Sequence, residues 1–272
     1  MSVTRPGFAE RVFEFAFNAE YCAKRKTVLA ACPYVPSQKQ ERYLGYDVAF
    51  EIQRRGGGTS SIFLQHKVSR HVDSRSGPNA HFYDSIGGAY FAFQLDVDQY
   101  NLIHYAVNHG KKAFFYCAPA FVTRGELDKH FMAGEVVDSS IWVDIKNSGS
   151  ITDYASHCIV YDAGKSKAWR FSDEPKAVTL RNPDGGDDFI PRMQAFDVNS
   201  VSTIYESLYS DLRDWWPERQ KVRRKTEPAE SHRMPSVLPP QVDVDGLAGA
   251  IAAVRELAVD YYGVSWLIGV QQ

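Results

Sequence analysis

The chain is poor in cysteine, has no long apolar run and carries little net charge, and each shortage excludes a class of protein. Four cysteines, Cys22, Cys32, Cys117 and Cys158, are scattered with no Cys-x-x-Cys pair, which argues against a zinc site or a disulfide framework. Cys117 sits inside the apolar run "AFFYCAPAF" and reads as core. No stretch approaches the ~18 uninterrupted apolar residues of a membrane span, and the start "MSVTRPGFAERVFEF" has no apolar signal core. A reduced, cytoplasmic protein is expected. The formal net charge is −2 and the pI near 6.4, so any polyanion must be held by a local patch and not by bulk basicity. No internal repeat is visible.

What is present suits a single α/β domain with an appendage: 272 residues, 44% of them hydrophobic, suffice for a sizeable core. Residues 7–24 predict a helix, with Phe8, Val12, Phe15, Ala16, Ala19 and Cys22 on one stripe and Phe13 and Phe17 on a second side. A loop rich in proline and polar residues follows at 33–42. Alternation predicts strands at 45–52 and 61–69 around Gly56, Gly57 and Gly58, which supply the conformational freedom of a hairpin turn. A hairpin centred near Gly57 pairs Asp47 with Lys67, Ala49 with Gln65, Val48 with His66 and Phe50 with Leu64. Every apolar position but Phe63 then shares one face, and Asp47, Gln65 and Lys67 share the other.

After a polar loop at 70–86, residues 89–96 read as a third strand. Asp98 is the expected N-cap of the helix "QYNLIHYAVNH", ended by Gly110. Residues 112–122 read as a doubly buried strand, parallel to its predecessor through that helix. The resulting αβββαβ order occupies residues 1–122. A short helix at 124–133 and strands in "SIWVDI", "HCIVYDA" and "KAWRFS" extend the same domain in α+β fashion to 216, ending in an amphipathic helix at 198–216. Charge and proline mark 217–243 as an exposed linker, and 244–272 as a closing helix and strand.

One local oddity carries the functional reading. The strand "IFLQHKV" places Gln65 and Lys67 two residues apart where Phe or Val would pack better. Phosphodiester hydrolysis needs a hard divalent cation held by carboxylate and carbonyl oxygens, with positions left for water and phosphate. Asp47 supplies a fixed anion and Gln65 an amide oxygen that coordinates or orients. Lys67 projects a cation from the same face toward the attacking water and the charge developing on phosphorus. A simple cross-strand Asp47–Lys67 ion pair, worth about 0.2–1 kcal/mol, accounts for two of the three residues without any catalysis.

An acidic helix, then "GYD", then 17 residues and "LQHK", resembles the PD-(D/E)XK nuclease superfamily, in the Q-x-K form of Mrr-like restriction enzymes and defence-associated effector nucleases. The αβββαβ order agrees, and the resemblance spans roughly residues 5–122. It implies a restriction-endonuclease-like core with a mixed sheet, and a Mg²⁺-dependent endonuclease in which Mn²⁺ can substitute. The substrate implied is double-stranded DNA, in restriction or phage defence. By resemblance the metal-binding Asp is Asp47, the Glu/Gln position is Gln65 and the catalytic Lys is Lys67. The helical acid is Glu10, which follows "GFA" much as the "FE" opening of Mrr-like domains, with Glu14 and Glu20 as alternatives. Tyr46 stands where the family usually has proline, and Gln65 where a carboxylate is commoner.

Other polar residues read more plainly. His66 is expected to be a satisfied core histidine, and Glu51 to be exposed near the hairpin tip. "GGDD" at 185–188 is a turn. Arg54, Arg55, Lys67, Arg70, His71 and Arg75 flank the site and suit a phosphate backbone, whereas "RQKVRRK" at 219–225 reads as a solvated tether. A second function class remains open: a non-catalytic nucleic-acid-binding or scaffolding module on a degenerate nuclease fold. A homodimer is expected through the helices at 198–216 and 245–262, whose ends carry Trp215, Trp216, Tyr261 and Tyr262.

Overall fold

The computed structural model describes residues 3–181 apart from 39–40, 42–43, 54–58, 76–79, 110–112, 154 and 172–174. Arg54, Arg55, the "GGDD" turn, the linker at 217–243 and the helices expected at 198–216 and 245–262 lie outside the described residues. The chain divides into two units, residues 1–36 with 46–191 and residues 37–45 with 192–272. The elements below belong to the first.

In chain order they are β1 (Val3–Thr4), α1 (Glu10–Arg25), β2 (Val48–Gln53), β3 (Thr59–His66), β4 (Arg70–Val72), α2 (Ala80–Ile86), β5 (Tyr90–Gln94), α3 (Val97–His109), β6 (Ala113–Pro119), α4 (Arg124–Ala133), β7 (Ser140–Asp144), β8 (Cys158–Asp162), β9 (Ala168–Phe171), β10 (Lys176–Ala177) and β11 (Thr179–Arg181). They form two sheets. A five-stranded mixed sheet has the order β11-β7-β6-β3-β2, and a six-stranded antiparallel sheet the order β1-β4-β5-β8-β9-β10. The fold is mixed α/β, with the polar strand β3 inside the mixed sheet.

The hairpin forms two residues out of the expected register. Val48 pairs with Leu64, Phe50 with Ile62 and Gln53 with Thr59, in place of Val48 with His66. Side chains alternate with a period of two, so this slip leaves every residue on its expected face. Val48, Phe50, Ile52, Ile62 and Leu64 share one core cluster with α1. Ala49 and Phe63, opposite each other, belong to the other face.

The third strand departs from expectation more seriously. β5 pairs with β4 and β8 in the antiparallel sheet, and β6 runs parallel to β3, with Leu64 opposite Phe115 and Gln65 opposite Tyr116. The cause lies at Lys67–Ser69, where the chain leaves β3 and enters β4. β4 takes β5 with it into the second sheet, and α3 then brings the chain back beside β3. All seven residues of β6 are buried, as befits a strand flanked by β3 and β7 and covered on both faces.

Helix α1 also turns a different face inward. Phe13, Ala16, Phe17, Glu20 and Tyr21 are buried, whereas Phe15, expected in the buried stripe, is 69% exposed. Phe13, Phe17 and Tyr21 form a ridge four residues apart, the row that side chains of successive helical turns make. Trp142 of β7 decides the choice, its ring lying 5.7 Å from Phe17 and 5.5 Å from Tyr21. On the opposite face of the mixed sheet, Tyr116 meets Tyr100 of α3 and Phe93 of β5.

Helix ends explain two boundaries. The Asp96 carboxylate accepts from the Gln99 backbone N–H at 2.8 Å and so caps α3; Asp98, the expected cap, sits inside the first turn. α4 occupies the expected 124–133, with Thr123 and Glu126 forming a reciprocal capping box and Gly134 stopping the helix at φ 68°. β7, β8 and β9 fall inside the three strand segments expected from the sequence. No helix among the described residues is long and apolar enough to cross a membrane.

Phe17, fully buried against Trp142, Tyr21 and His66, is a keystone of this packing. Phe17→Ala is expected to lower stability by about 3–5 kcal/mol, read from the urea midpoint, whereas Phe15→Ala should change it by less than about 0.5 kcal/mol.

Candidate functional site

Four of the residues singled out by sequence meet at one end of the mixed sheet. β3 and β6 are parallel, so their carboxyl ends lie side by side, and ligands of α/β sheets favour the crevice outside such ends. Gln65 and His66 close β3, Lys67 follows directly, Asp47 immediately precedes β2, and Glu10 opens α1. The backbone holds them in place. The Asp47 N–H donates to the Leu64 carbonyl at 2.9 Å, and the Lys67 N–H to the Cys117 carbonyl at 2.8 Å, extending the ladders on both sides of β3 by one step. Tyr46, where the resembled family usually has proline, sets its buried ring at a tilt against Phe63 at 4.9 Å and edge-on to Phe114 at 6.0 Å. An aromatic anchor thus fixes the chain entering Asp47.

Asp47 is 8% exposed, and a buried carboxylate must find donors. It finds the Gln65 amide nitrogen, 2.9 and 3.0 Å from its two oxygens, and the His66 backbone N–H at 2.6 Å. Gln65 therefore presents its nitrogen, and not the expected oxygen, to Asp47. Its oxygen instead accepts from the Gln99 side-chain amide of α3 at 2.9 Å. Lys67, half-buried at the end of the strand, is not Asp47's partner in any ion pair or hydrogen bond among the described residues.

The helical acids separate into three roles. Glu10 is held above the ordinary carboxyl value of 4.5, first by burial, then by the nearby charge of Asp47, against the opposing pull of Lys67, His66 and a hydrogen bond from the Val68 backbone N–H. Glu14 is raised too, by burial and by the charges of Asp47 and Glu10. Glu20 belongs elsewhere. Its carboxylate accepts from the N–H groups of Val136 and Val137 at 2.7 and 3.1 Å and pairs with Lys24 at 2.9 Å. Its work is to tie α1 to the turn after α4.

His66 is buried as expected but not satisfied. Its ring lies edge-on to Phe13 and Phe17 at 5.8 and 5.3 Å, and neither ring nitrogen has a hydrogen-bond partner among the described residues. The closer, Nδ1, is 3.4 Å from Asp47 Oδ2. Glu51 is half-buried opposite Ser61 and is not exposed at the tip. Of the basic residues, Arg75 is bound to Asp84 at 2.6 and 2.9 Å, and the His71 ring packs at a tilt against Phe91, 4.7 Å between centroids. Arg70, on β4, acts electrostatically on Tyr90 and Cys158. Gln99 was not singled out by the sequence; a glutamine at the third position of a helix looks like ordinary capping.

The donor set fits a hard cation. Asp47, Glu10 and Glu14 bring three carboxyl groups within electrostatic reach of one another, against the single ammonium of Lys67. No group of three or more His, Cys, Asp or Glu side chains among the described residues is disposed to enclose a metal. Carboxylate and amide oxygens are the donors a hard cation such as Mg²⁺ takes, whereas structural zinc favours sulfur and nitrogen. A scan against protein-family models finds no match to this chain, and comparisons with curated proteins and with solved structures return none.

Glu20→Ala leaves two buried N–H donors unpaired and is expected to cost about 2–3 kcal/mol in urea unfolding. Glu10 should behave oppositely. Its folded-state value lies above its unfolded one, so the metal-free protein loses stability as pH rises from 4.5 through the folded value. Above that window Glu10→Gln should raise the thermal midpoint. Cation binding requires the ionised carboxylate, so Mn²⁺ affinity of the parent should climb with pH across the same window. Calorimetry at several pH values checks this, and the climb should be shallower in Glu10→Gln.

Proposed function

We propose that this chain is a metal-dependent nuclease that hydrolyses phosphodiester bonds, with duplex DNA as its first substrate. The observation that carries the reading is the convergence of Glu10, Asp47, Gln65 and Lys67, drawn from three separate segments, at the carboxyl ends of the parallel strands β3 and β6. A cross-strand ion pair would need only Asp47 and Lys67. It leaves unexplained why a second carboxyl group is buried beside them at a cost to its ionisation.

Asp47 and Glu10, with Gln65 through its amide oxygen, would hold Mg²⁺ or Mn²⁺. Such an ion, once bound, neutralises phosphate charge and acidifies a water. The protein's own contribution is placement. Lys67 is fixed by its backbone bond to Cys117, so its ammonium reaches the site from a rigid strand end and stabilises charge developing on the phosphoryl oxygens. Asp47 is oriented by the His66 N–H. Cutting both strands of a duplex would call for two such sites, for which a two-fold symmetric homodimer is the simplest arrangement.

A second reading has one observation in its favour. The carboxylate of Asp47 is already satisfied by Gln65 and His66, as it would be in a degenerate fold that binds nucleic acid or scaffolds a partner without cleaving. Incubation with plasmid DNA and with RNA, with and without Mn²⁺, separates the two. The nuclease reading expects metal-dependent cleavage that Asp47→Ala and Lys67→Ala each reduce by at least about a hundredfold while circular dichroism stays unchanged. Cleavage that survives Lys67→Ala removes the assignment. Absence of cleavage together with no Mg²⁺ or Mn²⁺ heat beyond dilution favours the binding module.

A further inference from the structure

Gln65 and Gln99 form a chain of amides leading away from Asp47. The Gln65 nitrogen donates to both Asp47 oxygens at 2.9 and 3.0 Å, the Gln99 nitrogen donates to the Gln65 oxygen at 2.9 Å, and the Gln99 oxygen is buried with no hydrogen-bond partner among the described residues. An orphaned buried acceptor costs free energy. An amide, however, is nearly symmetric in shape, and a half-turn about its last bond exchanges oxygen and nitrogen without moving any carbon atom.

We propose that Gln99 is a positioning residue that lets the Gln65 amide reverse when a divalent cation binds. This rests on the metal-dependent reading of the site. If both amides turn over together, Gln65 donates to the Gln99 oxygen, so their mutual hydrogen bond is kept, and the Gln99 nitrogen takes the place its oxygen leaves. The Gln65 oxygen then faces Asp47. Two oxygens so placed repel unless a cation neutralises them. The 2.9 and 3.0 Å now spanned by N–H···O bonds also match the separation of about 2.9 Å between adjacent oxygens around an octahedral Mg²⁺ with ligands at about 2.1 Å. Metal-free, the amide closes Asp47 with a donor; with the cation present, the same side chain becomes a ligand with little displacement. A carboxylate at position 65 needs no such partner, because both of its ends accept.

Gln99 lies in the first turn of α3, where the Asp96 cap fixes its backbone, so its side chain reaches Gln65 from a rigid element. Without a group able to accept, a reversed Gln65 would bury an unpaired N–H. Gln99→Met keeps the length and removes that acceptor.

The test uses the full chain and Mg²⁺ or Mn²⁺ alone, with no nucleic acid. In NMR spectra the Gln65 amide protons should show a nuclear Overhauser contact to the His66 amide proton in the metal-free protein. Saturating Mg²⁺ should replace it with contacts to Gln99 side-chain protons. By calorimetry, Gln99→Met should weaken Mn²⁺ binding about tenfold in the parent and less than twofold in a Gln65→Glu background. Three results overturn the proposal. Asp47-dependent metal binding with the Gln65–His66 contact unchanged sinks the reversal and leaves the metal site standing. An equal loss from Gln99→Met in both backgrounds makes Gln99 a packing residue only. Absence of any metal binding by the folded protein removes the proposal together with the reading beneath it.

Discussion

Everything at this site hangs on how α1 seats against the mixed sheet. The Phe13, Phe17 and Tyr21 ridge is buried against Val48, Phe50, Leu64, Phe115 and Trp142, a packing that removes a large apolar area from water and dominates the local energetics. That seating has one rotational solution, because rotating the helix about its axis would bring Phe15 inward and Phe13 out. Its consequence is electrostatic. With the ridge docked, the first turn of α1 overhangs the end of β3, and Glu10 comes within reach of Asp47 and Lys67. A hydrophobic choice thus places a carboxylate.

The site it creates is poorly compensated. Glu10 and Glu14 are both driven toward the protonated form, by burial first and then by the charge of Asp47. Asp47 is stabilised by neutral donors, the Gln65 amide and the His66 N–H, and neither ring nitrogen of His66 has a hydrogen-bond partner among the described residues. Structural positions in the same chain are treated differently. Glu20 is fully used by two N–H groups and a lysine, and Glu126 completes a capping box.

The comparison between sequence and structure is sharpest at the hairpin and the third strand. Alternation in 45–52 and 61–69 set Asp47 and Gln65 to one side, where they meet, and a two-residue slip in register left that result intact because side-chain direction repeats every two residues. The third strand had no such protection. Residues 90–94 are equally apolar whichever sheet they join, and only the bend at Lys67–Ser69 sends β4 and β5 into the second sheet. On α1 the chain offered two aromatic faces, and the sequence pattern favoured the one bearing Phe15. The pocket beside Trp142, contributed from more than a hundred residues away, selected the other.

By itself, the sequence determined which segments alternate, which of their residues share a face, where α4 begins and ends, and that Asp47 and Gln65 stand together. Those properties are local: period, capping and turn chemistry act over a few residues and survive small errors of register. Only the tertiary structure decided that β6 lies beside β3, that Glu20 is a structural tie while Glu10 is a neighbour of Asp47, and that Gln99 stands behind Gln65. Each of these depends on which surfaces win the competition for burial, and on donors and acceptors meeting across long stretches of chain. No short-range pattern encodes that outcome.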